Sequence, residues 1–185
     1  MDEHYYVIQV TTGDETLVET LIKNMIPAEC YSEAFHPMRM VRKKFRGEWK
    51  DVHQKLIPGY IFIKTHDPRE LTAQLWKVPK MTKMLGREDD LFLPLNEDEE
   101  EWLKWLLDKC AENEDNPYFA YEVGLSYGEL DENDRIKIVS GPLFGLEGEI
   151  KRIKKHKRLA EIETTFMGKR IRVSMGLELL KKSEG

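Results

Sequence analysis

The sequence predicts an α+β protein, an α/β sandwich in front and a small β-barrel behind it. Three observations carry this. Up to residue 112, apolar periods of two and of 3.6 alternate along the chain. From Glu129 onward only the period of two recurs. Between them, the polar run Glu112–Asn116 followed by Pro117 marks a boundary. The expected organisation is therefore a front domain over 1–112, a linker over 113–128 and a barrel over 129–185.

The front domain opens on Tyr5-Tyr6-Val7-Ile8-Gln9-Val10, whose β-branched and aromatic residues read as a buried strand. Gly13-Asp14 then opens a helix in which Leu17, Val18, Leu21, Ile22 and Met25 recur at helical spacing, with Pro27 beyond its end. Cys30 to Met38 is a second strand. Met40 to Val52 is a hairpin around Arg46-Gly47, with a basic tip. Leu56 to Lys64 is another strand, entered through Pro58-Gly59. Asp67-Pro68 supplies a capping carboxylate and a proline at the first helical position, and that helix carries Leu71, Leu75 and Trp76. Met81 to Gly86 is a short strand. Asn96 caps a third helix whose acidic first turn, Glu97 to Glu101, suits the positive end of the helix dipole. Trp102, Leu103 and Leu106, with Leu107 or Cys110, form its buried stripe. The aromatic run Tyr118–Tyr121 is too apolar for a free linker and is expected to dock on one of the domains.

In the barrel, strands are expected over Arg135–Val139, Glu149–Ile153, Leu159–Phe166 and Lys169–Met175. Gly141-Pro142 ends the first of them, and Gly145 and Gly148 free the backbone for a sharp return into the second. Inside–outside alternation sends Ile153, Ile171 and Val173 inward and their basic neighbours outward.

Composition narrows the function. At 41% hydrophobic and 34% charged the chain can bury a core. Its longest apolar runs, such as Tyr5 to Ile8, are too short to span a bilayer, and no charged-then-apolar leader precedes Tyr5. A cytoplasmic monomer with no membrane partner is expected. The net charge of −5 conceals a division: −8 over 1–128, +3 over 129–185, and +8 within 150–182. Two halves of opposite sign suggest different partners. His4, His36, His53, His66 and His156 are scattered, and Cys30 and Cys110 form no ligand set, so neither a metal nor a cofactor is expected. The three glycines after Ser140 lack the Gly-Lys-Ser/Thr of a phosphate loop. The chain does not read as an enzyme.

The stretch Asp134–Ile153 resembles the KOW motif, the seed of a small barrel found in proteins of transcription and of the ribosome. In front of it, Tyr5-Tyr6-Val7-Ile8-Gln9, Pro37, Ile57-Pro58-Gly59-Tyr60-Ile61-Phe62 and Val78-Pro79 before Met84-Leu85-Gly86 resemble, in order and spacing, the N-terminal domain of the NusG family. The resemblance implies a transcription elongation factor. Its front domain would bind the clamp helices of the largest subunit of RNA polymerase, and its barrel would recruit a second partner: Rho, a ribosomal protein or RNA. By strand alternation Tyr60 and Phe62 leave the helix-covered face, so they are expected to form an exposed aromatic patch for polymerase. Ile57 and Met84 are its neighbours by family position. The alternative is that the hairpin or the segment 118–127 covers that face.

The basic residues of the barrel are Lys151, Arg152, Lys154, Lys155, His156, Lys157 and Arg158, then Lys169, Arg170 and Arg172. They suit a phosphate backbone, against the alternative of a solvated face. Their density is similar to that of specialised paralogues, the LoaP antitermination proteins, whose barrel recognises a leader RNA hairpin. Nascent RNA is accordingly the expected partner of the barrel. A housekeeping member recruiting Rho or a ribosomal protein, for which Phe166-Met167 partly matches the expected apolar tip, is the second reading. A ribosome-associated KOW module is the third. On the front hairpin, Arg42, Lys43, Lys44 and Arg46 beside Phe45 and Trp49 suit single-stranded nucleic acid, for which the resemblance implies the non-template DNA strand; a solvated tip explains them equally.

Overall fold

Alternation of Tyr5 and Val7 with Tyr6, Ile8 and Val10 makes both faces of the first strand, β1 (His4–Val10), apolar. Such a strand needs a layer on each side. The computed structural model, which describes residues 2–88, 91–110, 120–131, 133 and 135–180, supplies the first of these layers as two helices. The chain divides into two units, Met1–Pro37 with Ile57–Lys104, and Met38–Leu56 with Trp105–Gly185.

The first unit centres on a sheet of order β2-β5-β1-β6, with β2 at Glu33–Phe35, β5 at Tyr60–Thr65 and β6 at Met81–Met84. β5 runs antiparallel to both β1 and β2, so that Phe62 stands opposite Val7 on one side and Phe35 on the other. Helix α1 (Glu15–Met25) and helix α2 (Pro68–Leu75) cover one face. Val18, Ile22, Leu71 and Leu75 pack there with Tyr6, Ile8, Val10, Ile61 and Ile63. Leu17 and Met25, expected in the α1 stripe, are exposed, because that face needs only the arc around Val18 and Ile22. Trp76, at the end of α2, is likewise exposed. Asp67 caps α2 as expected, accepting from Arg69 and Glu70 backbone N–H at 3.1 and 3.0 Å. The buried Glu15 carboxylate accepts from Gly13 and Gly59 N–H at 2.9 and 2.7 Å, tying the start of α1 to the entry of β5.

A two-stranded ribbon, β7 (Arg87–Glu88) and β8 (Leu91–Phe92), precedes helix α3 (Glu97–Asp108). Asn96 caps α3 reciprocally: its side chain accepts from Glu99 N–H at 2.9 Å, and the Glu99 carboxylate accepts from Asn96 N–H at 3.1 Å.

In the second unit, β3 (Met38–Phe45) and β4 (Glu48–Lys55) form the basic hairpin. Arg46 and Gly47, both at positive φ, make its two-residue turn. β9 (Glu122–Val123) adds to β3 in parallel. The barrel sheet runs β11-β10-β14-β13-β12, with β10 at Ser126–Leu130, β11 at Ile136–Ser140, β12 at Ile150–Lys154, β13 at Leu159–Phe166 and β14 at Lys169–Leu179. Among the described strands of this sheet, only β10 and β14 pair in parallel. Ile138, Leu143, Ala160, Ile162, Val173, Met175 and Leu177 are buried, whereas Ile153 and Ile171 are half-buried. At the Gly-Pro corner, Gly141 takes φ +92°, and a Cβ there would lie 2.5 Å from Ser126 Cα. Strands β9 and β10 occupy 122–130, ahead of the strands read from the sequence; Tyr118 and Phe119 lie outside the described residues.

The hairpin lies along β14. Arg39 donates to the Ser174 carbonyl, and Arg42 reaches Glu178 at 3.4 Å. Between them Gly176 meets β3 so closely that a Cβ would stand 2.4 Å from the Met40 carbonyl oxygen. Contact at that distance requires glycine.

Candidate nucleic-acid interface

Alternation along β5 sends Ile61 and Ile63 to the helices and Tyr60 and Phe62 to the other face. That second face is not open as expected. Phe62 is 0% exposed, its ring stacked on Phe35 at 5.6 Å between centroids, with Tyr5 edge-on to Phe35 at 6.3 Å. Phe35 comes from β2, and a strand of three residues gives little signal of which way its ring turns. Ile57 is buried as well. Met84 does not join them: it lies on the helix face, where Thr72 Oγ1 donates to its sulfur at 3.2 Å. Of the four residues read as a polymerase patch, Tyr60 alone is half-buried rather than buried.

The basic residues of the barrel fall into two groups. β12 leads into a 3₁₀ turn, Lys155–Lys157, closed by Arg158 in the left-handed conformation at φ 52° and ψ 50°. Lys169 and Arg170 follow the Met167-Gly168 turn at the far end of β13. The strand register pairs Leu159 with Gly176 but Phe166 with Lys169. The two ends of β13 are thus separated by seven strand steps, roughly 23 Å. The basic positions before and after β13 therefore make two sites in space.

Several of these cations are occupied by carboxylates. Lys154 donates to Glu161, and Arg172 pairs with Glu163 at 3.0 Å. The Lys154 ammonium holds the Glu161 carboxyl below the usual carboxylate range against the opposing effect of burial, with Ser174 and Arg152 adding smaller contributions. Arg158 donates to both Glu178 oxygens at 2.7 and 2.5 Å, and its guanidinium lies 3.6 Å from the centre of the Trp49 ring. Lys151, Arg152, Lys155, His156 and Lys157 are exposed and, among the described residues, have no ion pair. Arg152, Ile153, Lys154, Lys155, His156 and Lys157 line a concavity of about 480 Å³.

On the hairpin, Arg42 forms a cross-strand pair with Asp51 at 2.8 Å, which raises its pKa above the ordinary arginine value. Lys43, Lys44 and Arg46 are exposed, as is Phe45 at the tip. Sequence reading missed Glu178 and the Arg158–Trp49 stack, because nothing local links residues so far apart. It also placed Phe166 at a presented tip, whereas that ring is buried. Among the described residues there is no metal-ligand cluster, and no helix is long and apolar enough to cross a membrane.

Comparison with known proteins agrees with this architecture. NusG of Vibrio vulnificus, a transcription termination/antitermination protein, is 21% identical over 184 residues, covering 97% of this chain and 96% of that protein. The Streptomyces griseus protein of the same description is 26% identical over 197 residues, covering 97% of this chain and 64% of its own length. Among solved structures, that described as domain interaction in Thermotoga maritima NusG superposes with a TM-score of 0.55 at 18% identity, over 95% of this chain and 94% of that one. The family model described as transcription termination factor nusG matches residues 3–103, more than half of the sequence. The chain therefore belongs to the NusG family of transcription termination/antitermination factors.

Proposed function

We propose that this chain is an elongation and antitermination factor that holds RNA polymerase with its first unit and nascent RNA with its barrel. One observation carries the RNA half: the exposed cations Lys151 and Arg152 on β12 and Lys155 and Lys157 in the turn that follows it lie within seven residues of a chain that is acidic overall. The long-range attraction of such a turn for phosphate is independent of sequence; a leader hairpin supplies two phosphate strands within its reach. Lys169 and Arg170, at the other end of β13, would engage a separate part of the transcript. Arg158, Lys154 and Arg172 contribute charge but are held by Glu178, Glu161 and Glu163.

The polymerase half rests on the NusG-type first unit and on Tyr60, with Phe62 and Ile57 buried in the same stretch and Met84 in the core on the opposite face. The target is the clamp of the largest subunit. Tyr60→Ala should lower polymerase capture without loss of fold; full capture by that variant would remove the assignment. For RNA, replacing Lys151, Arg152, Lys155 and Lys157 together by Ala should cost orders of magnitude in affinity at low salt. Unchanged affinity would sink the RNA reading. Exposed charge on the hairpin tip, Lys43 and Arg46 above all, leaves room for a contact with non-template DNA.

A further inference from the structure

Two basic surfaces that are distant in sequence meet in the second unit. Lys44 and Trp49 on the hairpin, with Lys155, His156, Arg158 and Glu178 of the barrel, line a cleft of about 460 Å³. It adjoins the concavity at the β12–β13 turn, since Lys155 and His156 border both. Lys44 stands opposite Trp49 in the hairpin register, on the same face as the Arg42–Asp51 pair. The cleft is thus walled by a hairpin on one side and a 3₁₀ turn on the other.

Between the walls sits Arg158, whose Nη1 is given to Glu178. Its guanidinium carbon lies over the Trp49 ring, 3.6 Å from the ring centre, and both Glu178 oxygens accept from Nη1. Glu178 in turn takes Arg42 at 3.4 Å. A carboxylate in a phosphate-binding cleft would repel the ligand, but one shared by two guanidiniums is neutralised. Stack and clamp link the lip that carries Lys44 to the lip that carries Lys155. Gly176 supports this from below by letting β3 approach β14.

We propose that the hairpin and the β12–β13 turn form one RNA cleft, in which Lys44, Lys155 and His156 contact the phosphates and Arg158 is a positioning residue. The inference rests on the RNA-binding reading above and assigns Lys44 to RNA rather than to DNA. Arg158 acts through Trp49 and Glu178 and does not itself touch the transcript.

The test uses the full chain and a labelled generic stem-loop RNA, titrated over a salt series. Lys44→Ala should weaken binding several-fold, about as much as Lys155→Ala, and lower the log–log salt slope by roughly one. Trp49→Phe, which keeps a ring beneath Arg158, should bind nearly as the unaltered chain does. Trp49→Ala should weaken binding and make a further Lys44→Ala nearly silent, a non-additivity that a purely structural tryptophan would not produce. If Lys155→Ala lowers affinity and slope while Lys44→Ala changes neither, the composite cleft is wrong and the RNA reading stands. If Lys44→Ala weakens only a single-stranded DNA probe, the cleft is wrong and the hairpin is a DNA contact. No RNA binding by the unaltered chain at low salt overturns both.

Discussion

Gly176 shows how one residue can carry an arrangement. Only a hydrogen in place of Cβ lets the Met40 carbonyl pass 2.4 Å from where that carbon would be. Gly176→Ala should therefore destabilise the hairpin–barrel packing and expose β3 to hydrogen exchange, while an exchange pattern identical to that of the unaltered chain would show that the backbone yields there. Phe62 makes a similar point in the first unit. Truncating a fully buried phenylalanine costs about 3–5 kcal/mol, so Phe62→Ala should lower the stability of the unit by that order in chemical denaturation. Loss of polymerase binding by that variant alone would then mean little, which makes Tyr60→Ala the cleaner probe. At Cys110, burial, then the charge of Glu122, pushes the thiol up to about 12. It stays protonated at neutral pH and should react slowly with thiol reagents until the protein unfolds. Rapid labelling of the native chain at Cys110 would contradict that.

At the scale of elements, the sequence was most legible where one local signal decides. Asp67-Pro68 and Asn96 start their helices as read, because a cap is settled within four residues. The Arg46-Gly47 turn and the Gly141-Pro142 corner were legible for the same reason. The direction in which a strand's second face is covered was not, because Phe35 reaches Phe62 through pairing of distant segments. By contrast, the split of the basic residues was legible, because the strand read over Leu159–Phe166 separates them. An acid transition belongs at this scale as well. Glu161, held below its ordinary 4.5 chiefly by Lys154, stabilises the β12–β13 pair above that pH. Below 4.5 the unfolded chain takes up the proton first, so this contribution falls away as pH drops through the folded value. Glu161→Gln should be less stable at neutral pH and lose less between there and acid; an equal loss in both chains would rule this out.

For the whole molecule, the family is carried by the match over residues 3–103, and the order of elements is one that the sequence spells out even at low identity. In the barrel the sequence makes the basic charge legible. The contacts of Arg158 with Trp49 and Glu178 were not legible, because they join residues far apart in the chain. On the proposed reading, a factor that touches polymerase and transcript together would gain from tethering: each contact raises the local concentration for the other, so moderate affinities suffice. The most direct measurement places a photoreactive side chain at position 156 of the full chain bound to stalled elongation complexes with a labelled transcript. The account predicts label transfer from the transcript to the chain, diminished by Tyr60→Ala. A chain that travels with the elongation complex yet takes no label from the transcript would contradict it.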